Sequence, residues 1–174
     1  MVASNWKPSL AAVLRSEGGN DDDPLDHGGR TSRGITQREY DAWRRSRNQP
    51  TLDVWHAPQS DIEAIYHEEY WEPYCDAMPI GVDYCLFNTR VLAGPYRAAV
   101  LLQRALGVSD DGRIGPVTRE AAGKMAPEAF INRFAEVSAS FYRSLHQPRF
   151  IKGWLNRVES VRQTTLKMVK GTNG

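Results

Sequence analysis

Long apolar runs are missing from this chain. No stretch free of charged side chains exceeds seven residues (8–14 and 54–60). A membrane-spanning helix needs about 20 mostly apolar positions, so none is expected. Segment 9–14 is also too short for the core of a secretory leader, and Lys7 alone is a thin charged region before it. The expectation is a product made in the cytoplasm without a signal peptide, which something else must carry or release if it acts outside the membrane. Cysteine is scarce: Cys75 and Cys85 are the only two, with no paired spacing of the metal-binding kind. They read as buried free thiols, the default for a cytosolic product, and nothing supports a disulfide between them. The four histidines are scattered, and His67-Glu68-Glu69 lacks the second zinc ligand because position 71 is Trp. The run Asp21-Asp22-Asp23 lacks the alternate-position ligands and distal Glu of a calcium loop. No metal and no cofactor is expected. Neither zinc-finger spacing nor a basic stretch interleaved with aromatics is present, which argues against nucleic acid.

What is there fits an ordinary globular chain. Apolar residues make up 41% and charged residues 25% of 174, which excludes wholesale disorder. A chain of this length can bury about 70% of its unfolded surface, enough for one domain. The net charge of +1 conceals a split: residues 1–90 hold 9 Lys+Arg against 15 Asp+Glu, and residues 91–174 hold 13 against 6. The positive half could meet an anionic polymer or an acidic envelope surface, or could be a solvated helix face.

The periodicity is helical almost throughout. Pro8 suits a first turn, and Leu10, Val13, Leu14 and Glu17 follow at i, i+3, i+4 and i+7 until Gly18-Gly19 stops the helix. Residues 20–35 read as a long loop with a short hairpin at 28–35. Thr36-Gln-Arg-Glu39 and Ser60-Asp-Ile-Glu63 are capping-box patterns, each opening a helix. Helices are expected over 84–93 and 96–106, split by Gly94-Pro95, and another from Pro116. Phe130, Phe134, Val137, Phe141 and Leu145 mark a long buried helix, and Leu155, Val158, Val161, Leu166 and Val169 a last amphipathic one. The expected fold is mainly α, with at most a short β-hairpin.

Glu17 is the first chemical candidate. At a helix end and on the apolar stripe, its carboxyl loses hydration, which disfavours the charged form. A carboxylic acid kept protonated is what a general acid requires, and Gly18-Gly19 leaves room for a bulky substrate. An ordinary helix-end Glu before a glycine cap has the same local pattern.

The following residues add weight. Glu17-Gly18-Gly19-Asn20-Asp21-Asp22-Asp23-Pro24-Leu25-Asp26-His27-Gly28-Gly29-Arg30-Thr31-Ser32-Arg33-Gly34-Ile35-Thr36 resembles the opening signature of glycoside hydrolase family 108, bacterial and phage N-acetylmuramidases. The resemblance continues through Tyr70-Trp71, Gly81-Val82-Asp83-Tyr84, Phe87, 102–108, 111–118 and 153–157. It implies a lysozyme-like single domain over 1–174. The catalytic signature would lie in 1–97, a peptidoglycan-binding-like helical region in 98–160 and a basic tail in 161–174.

It also implies hydrolysis of the β-1,4 bond between N-acetylmuramic acid and N-acetylglucosamine. Glu17 would protonate the leaving oxygen. Asp26 and Thr31 would position water or stabilise the sugar cation, by similarity to phage-type lysozymes. Arg30, Thr36, Tyr70, Trp71, Phe87 and Asn88 are the candidate substrate contacts, although Thr36 also reads as a helix cap and the aromatics as core. The chain departs from the family pattern at Asp22, where Asn is frequent, at Asn20, where an aromatic is frequent, and in the stretch where F-D-x-x-V-N-x-G is common and this chain has Asn88 and Leu92. The implied partner is the peptidoglycan glycan strand, with the basic C-terminal helix touching an anionic envelope surface and the protein acting as a monomer. The implied setting is a phage endolysin released through a holin-type pore. A non-catalytic peptidoglycan-binding protein, a secreted muramidase toxin and a lytic transglycosylase are the rival readings.

Overall fold

The computed structural model describes residues 4–22 and 29–171. Eight α-helices are present among them: α1 (Trp6–Glu17), α2 (Gln37–Ser46), α3 (Gln59–Ile65), α4 (Val82–Ala93), α5 (Pro95–Leu106), α6 (Pro116–Lys124), α7 (Pro127–Ser144) and α8 (Ile151–Gly171). The only sheet among the described residues has three two-residue strands, β1 (Asn20–Asp21), β2 (Thr31–Ser32) and β3 (Ile35–Thr36), all antiparallel in the order β1-β2-β3. The fold is mainly α, as the periodicity implies, and the hairpin gains β1 as a third strand. The chain divides into two compact units, Lys7–Glu69 and a second formed by Met1–Trp6 with Tyr70–Gly174. That division does not follow a 97/98 boundary.

In the Lys7–Glu69 unit, Thr36 caps α2. Its side chain accepts from the Glu39 backbone N–H while the Glu39 carboxylate accepts from the Thr36 N–H, the reciprocal pair the sequence pattern predicts. The second expected capping box does not form. Pro58 is the residue before α3, and Ser60 already lies inside the helix. Proline fixes the backbone entry two residues earlier than the Ser60 pattern suggests. Asp61 instead accepts from the Tyr40 hydroxyl (2.7 Å) and Arg44 (3.0 Å), tying α3 to α2. The last turn of this segment, Tyr66–Trp71, widens to a π-type helix.

In the unit containing Tyr70–Gly174, α4 is the central element. Residues 81–90 are all buried, so only the last turn of the helix, with Leu92 exposed, reaches solvent. Helices α5, α7 and α8 each pack on it, and α7 packs along α8. A Cβ at Gly81 would stand 3.0 Å from Val169 Cγ2, and its φ of 99° suits glycine, so α8 can come close to the start of α4. The α7 stripe differs from the expected one. After Phe130 and Phe134 it runs through Ser138 and Tyr142, leaving Val137 and Phe141 half-buried. At about 3.6 residues per turn a line of i, i+4 steps drifts round the helix, so the buried side shifts along α7 from Phe130 and Phe134 to Ser138 and Tyr142.

Buried Gln103 fixes the 107–115 turn, donating to Asp111 (2.8 Å) and to the Arg113 carbonyl and accepting from the Gly112 N–H. That turn is structural. Cys75 and Cys85 are free and buried; burial pushes the Cys85 thiol up to about 12, and that of Cys75 higher still.

Candidate active site

Glu17 is the final residue of α1 and is half-buried. The chain then turns through Gly18, whose φ of 77° an L side chain rarely adopts, and enters β1 at Asn20. Among the described residues, a Cβ at Gly18 or Gly19 would meet nothing within 4 Å. Among the described residues, no side chain therefore crowds the two glycines that follow Glu17.

The hairpin comes back against Glu17. Ser32 and Ile35 pair across a two-residue turn in which Arg33 (φ 50°) and Gly34 (φ 82°) are both left-handed, the geometry of a tight primed turn. A Cβ at Gly34 would lie 3.2 Å from Glu17 Cβ and Cγ and 2.5 Å from the Tyr66 hydroxyl oxygen. The turn backbone thus packs directly on the Glu17 stem. The Tyr66 hydroxyl donates to the Arg33 carbonyl at 2.7 Å, and the Arg33 N–H donates to the Gly19 carbonyl at 3.1 Å. The Arg33 guanidinium donates to the Ala57 carbonyl and to Gln59, both at 2.8 Å. The result is a fixed seat: the helix end, the turn and Tyr66 together limit where the carboxyl can point.

Thr31 is in β2, opposite Asp21, and its hydroxyl stands 3.5 Å from the Asp21 carbonyl. Its own carbonyl accepts from Trp55 Nε1 at 3.0 Å. Arg30 stacks its guanidinium over Trp55 at 4.1 Å, pairs closely with Asp53 and reaches Asp22 at 3.6 Å. These partners hold Arg30 beside β2. Asp26 lies outside the described residues. Among the described residues, no group of three or more His, Cys, Asp or Glu side chains could hold a metal.

The remaining expected contacts separate by their surroundings. Thr36 is a helix cap. Trp71 and Phe87 are fully buried, and with Trp6 they form a three-ring cluster with centroids 5.4–5.6 Å apart. Trp71 Nε1 donates to Asp76. Rings so enclosed present no face to a sugar, so Trp71 and Phe87 are corrected to core residues, as their helical spacing equally allowed. Tyr70 is half-buried, and Asn88 is buried beside Arg157, whose Nε donates to its side-chain oxygen at 3.4 Å. Tyr70, Trp71, Phe87 and Asn88 all fall in the second compact unit, whereas Glu17, Arg30, Thr31 and Thr36 fall in Lys7–Glu69. Sequence reasoning missed Gly34, Tyr66 and Trp55 as the parts that seat Glu17 and β2. The Gly-Ile-Thr end of the motif carried a signal for Gly34; Tyr66 and Trp55 had none.

Comparison with known proteins gives consistent results. A family described as glycosyl hydrolase 108 matches residues 10–94, and one described as a predicted peptidoglycan domain matches 97–159. The solved structure of Brucella abortus SagA is similar with a TM-score of 0.79 and 32% identity, over 94% of this chain and 95% of that one. Among curated proteins, none matches.

Proposed function

The chain belongs to the glycosyl hydrolase 108 family, and from that membership we propose that it is an N-acetylmuramidase using Glu17 as its general acid. Its family makes it a glycoside hydrolase acting on peptidoglycan. The observation that carries the finer reading is the seat of Glu17. A half-buried Glu17 side chain at a helix end, its stem pressed by the Arg33-Gly34 turn, has the restricted direction that proton delivery to one oxygen demands.

In this reading Glu17 protonates the glycosidic oxygen as the C–O bond to muramic acid breaks. The sugar then carries oxocarbenium character. Asp26 would stabilise that charge or direct water, with the Thr31 hydroxyl positioning the water from the neighbouring strand. Water attacks the anomeric carbon, its proton passes to the carboxylate that acts as base, and a reducing muramic acid end results. The outcome at the anomeric carbon follows the carboxyl separation: about 6.5–9.5 Å gives inversion and about 5–5.5 Å retention.

The natural setting we propose is lysis from within, as a phage endolysin made in the cytoplasm and released to the wall through a holin-type pore. Mass spectrometry of digested Gram-negative peptidoglycan tests the chemistry. Fragments ending in reducing muramic acid are expected. Anhydro-muramic ends would replace the hydrolase with a transglycosylase, and intact glycan that retains the protein would leave a binding protein.

A further inference from the structure

Strand β2 carries Thr31 yet is only two residues long, and so short a strand has few ladder bonds to hold its register. A slip of one residue would turn Thr31 to the other face of the sheet. A ring from outside the sheet bears on that register. Trp55 Nε1 donates to the Thr31 carbonyl at 3.0 Å, and the same indole carries the Arg30 guanidinium over its ring at 4.1 Å. One side chain thus grips two consecutive residues, Arg30 and Thr31.

The indole is itself mounted. Trp55 lies in the single-turn helix Val54–His56, which Asp53 caps. One Asp53 oxygen accepts from the Trp55 backbone N–H at 3.0 Å and the other pairs with the Arg30 guanidinium, so Asp53 closes the circle of contacts. Val54 is fully buried, and its N–H donates to the Gln37 side chain at 2.8 Å, while Gln37 Nε2 donates to the Leu52 carbonyl at 2.9 Å. Gln37 opens α2, and its backbone N–H donates to the Arg30 carbonyl at 2.8 Å. The turn and the approach to β2 are therefore tied to one helix end as well as to each other.

We propose that Trp55 is a positioning residue for the Thr31 hydroxyl. The indole has one proton to give and no lone pair to accept with, so its single hydrogen bond goes to the backbone of the residue whose hydroxyl directs water. Fixing that carbonyl fixes the strand face on which the Thr31 side chain stands. The ring face holds Arg30, the preceding residue, and so keeps the entry to β2 from rotating. The proposal rests on the reading of Thr31 as the group that positions water.

The test is a double-mutant cycle in the full chain, with Trp55→Phe, Thr31→Ala and the pair, assayed on soluble peptidoglycan oligosaccharides. Trp55→Phe keeps a ring beneath Arg30 and deletes the N–H. It should lower kcat by about tenfold and change KM by less than about twofold, because misdirected water is felt in the transition state and not in binding. In the Thr31→Ala background the same change should cost less than about twofold, since no hydroxyl is left to misplace. Amide hydrogen exchange, which needs no turnover, should quicken by about tenfold or more in β1 and β2 of Trp55→Phe. Equal losses in the two backgrounds would make Trp55 an ordinary fold contact, and unchanged exchange in β1 and β2 would remove its grip; either result overturns the proposal. Should Trp55→Phe not fold, Arg30→Gln takes the charge off the indole at a partly exposed position and carries the same cycle, with additivity again the overturning result. A fully active Thr31→Ala would overturn the proposal through Thr31 and not through Trp55. Failure of the muramidase reading shows instead in the chemical ends of the fragments, which neither the cycle nor the exchange measurement uses.

Discussion

A methyl group on Gly34 would press on the Glu17 stem and the Tyr66 hydroxyl, and would have to adopt a φ of 82°. Gly34→Ala should therefore cost about 1–3 kcal/mol of stability from backbone strain and crowding. It should also lower glycan cleavage by about tenfold or more at temperatures where the variant is folded, since small displacements of a catalytic group are costly. Thermal melts paired with turnover separate the two effects; full activity in a folded variant would remove the seat from the account.

Asp83 is a second residue with a distinct signature. It is 3% exposed, and desolvation pushes its carboxyl up to about 6 despite hydrogen bonds from the Gly81 and Tyr84 N–H groups and Asn5. Asp76 adds a repulsion in the same direction. The folded protein thus holds this proton more tightly than the unfolded chain. The stability it contributes is fully present below about pH 4 and is lost as pH rises through about 6, a change of about 3 kcal/mol. Asp83→Asn should flatten that part of the profile, so denaturant unfolding of variant and wild type should diverge between pH 4 and 7. A constant difference across that range would contradict the burial argument.

At the scale of elements, legibility followed how local each signal was. The α2 capping box was readable because its two partners, Thr36 and Glu39, stand three residues apart and bond to each other. Thr36→Ala should cost about 1 kcal/mol by urea denaturation, and an unchanged midpoint would deny the cap its role. The matching Ser60 pattern failed because Pro58 sets the start of α3, and the tie that Asp61 makes with Tyr40 and Arg44 is invisible in one helix. The hairpin was expected, but β1 was not, because a two-residue strand has no periodicity to read. The motif located Glu17, yet its seat depends on Tyr66, far along the chain and outside that motif.

Over the whole molecule the excess of basic residues in 91–174 is the feature most open to a bulk test. Arg162 is engaged by Glu159 and Asn132, which makes it a poor surface anchor. Lys167 and Lys170 are exposed on α8. If this face meets an anionic envelope surface, reversing both lysines should weaken binding to phosphatidylglycerol vesicles by about 1 kcal/mol per charge and reduce its salt dependence. Unchanged binding and salt dependence would leave the split as a solvated face.

The central claim concerns one proton donor. Glu17→Gln keeps the shape of the side chain and removes its ability to give up a proton, so the variant should fold with an unchanged melting profile. Incubated with purified peptidoglycan and analysed by mass spectrometry, wild type should release fragments with reducing muramic acid ends. The variant should release almost none, a loss of about a hundredfold or more. Equal release by wild type and variant would contradict the assignment of Glu17 as the general acid.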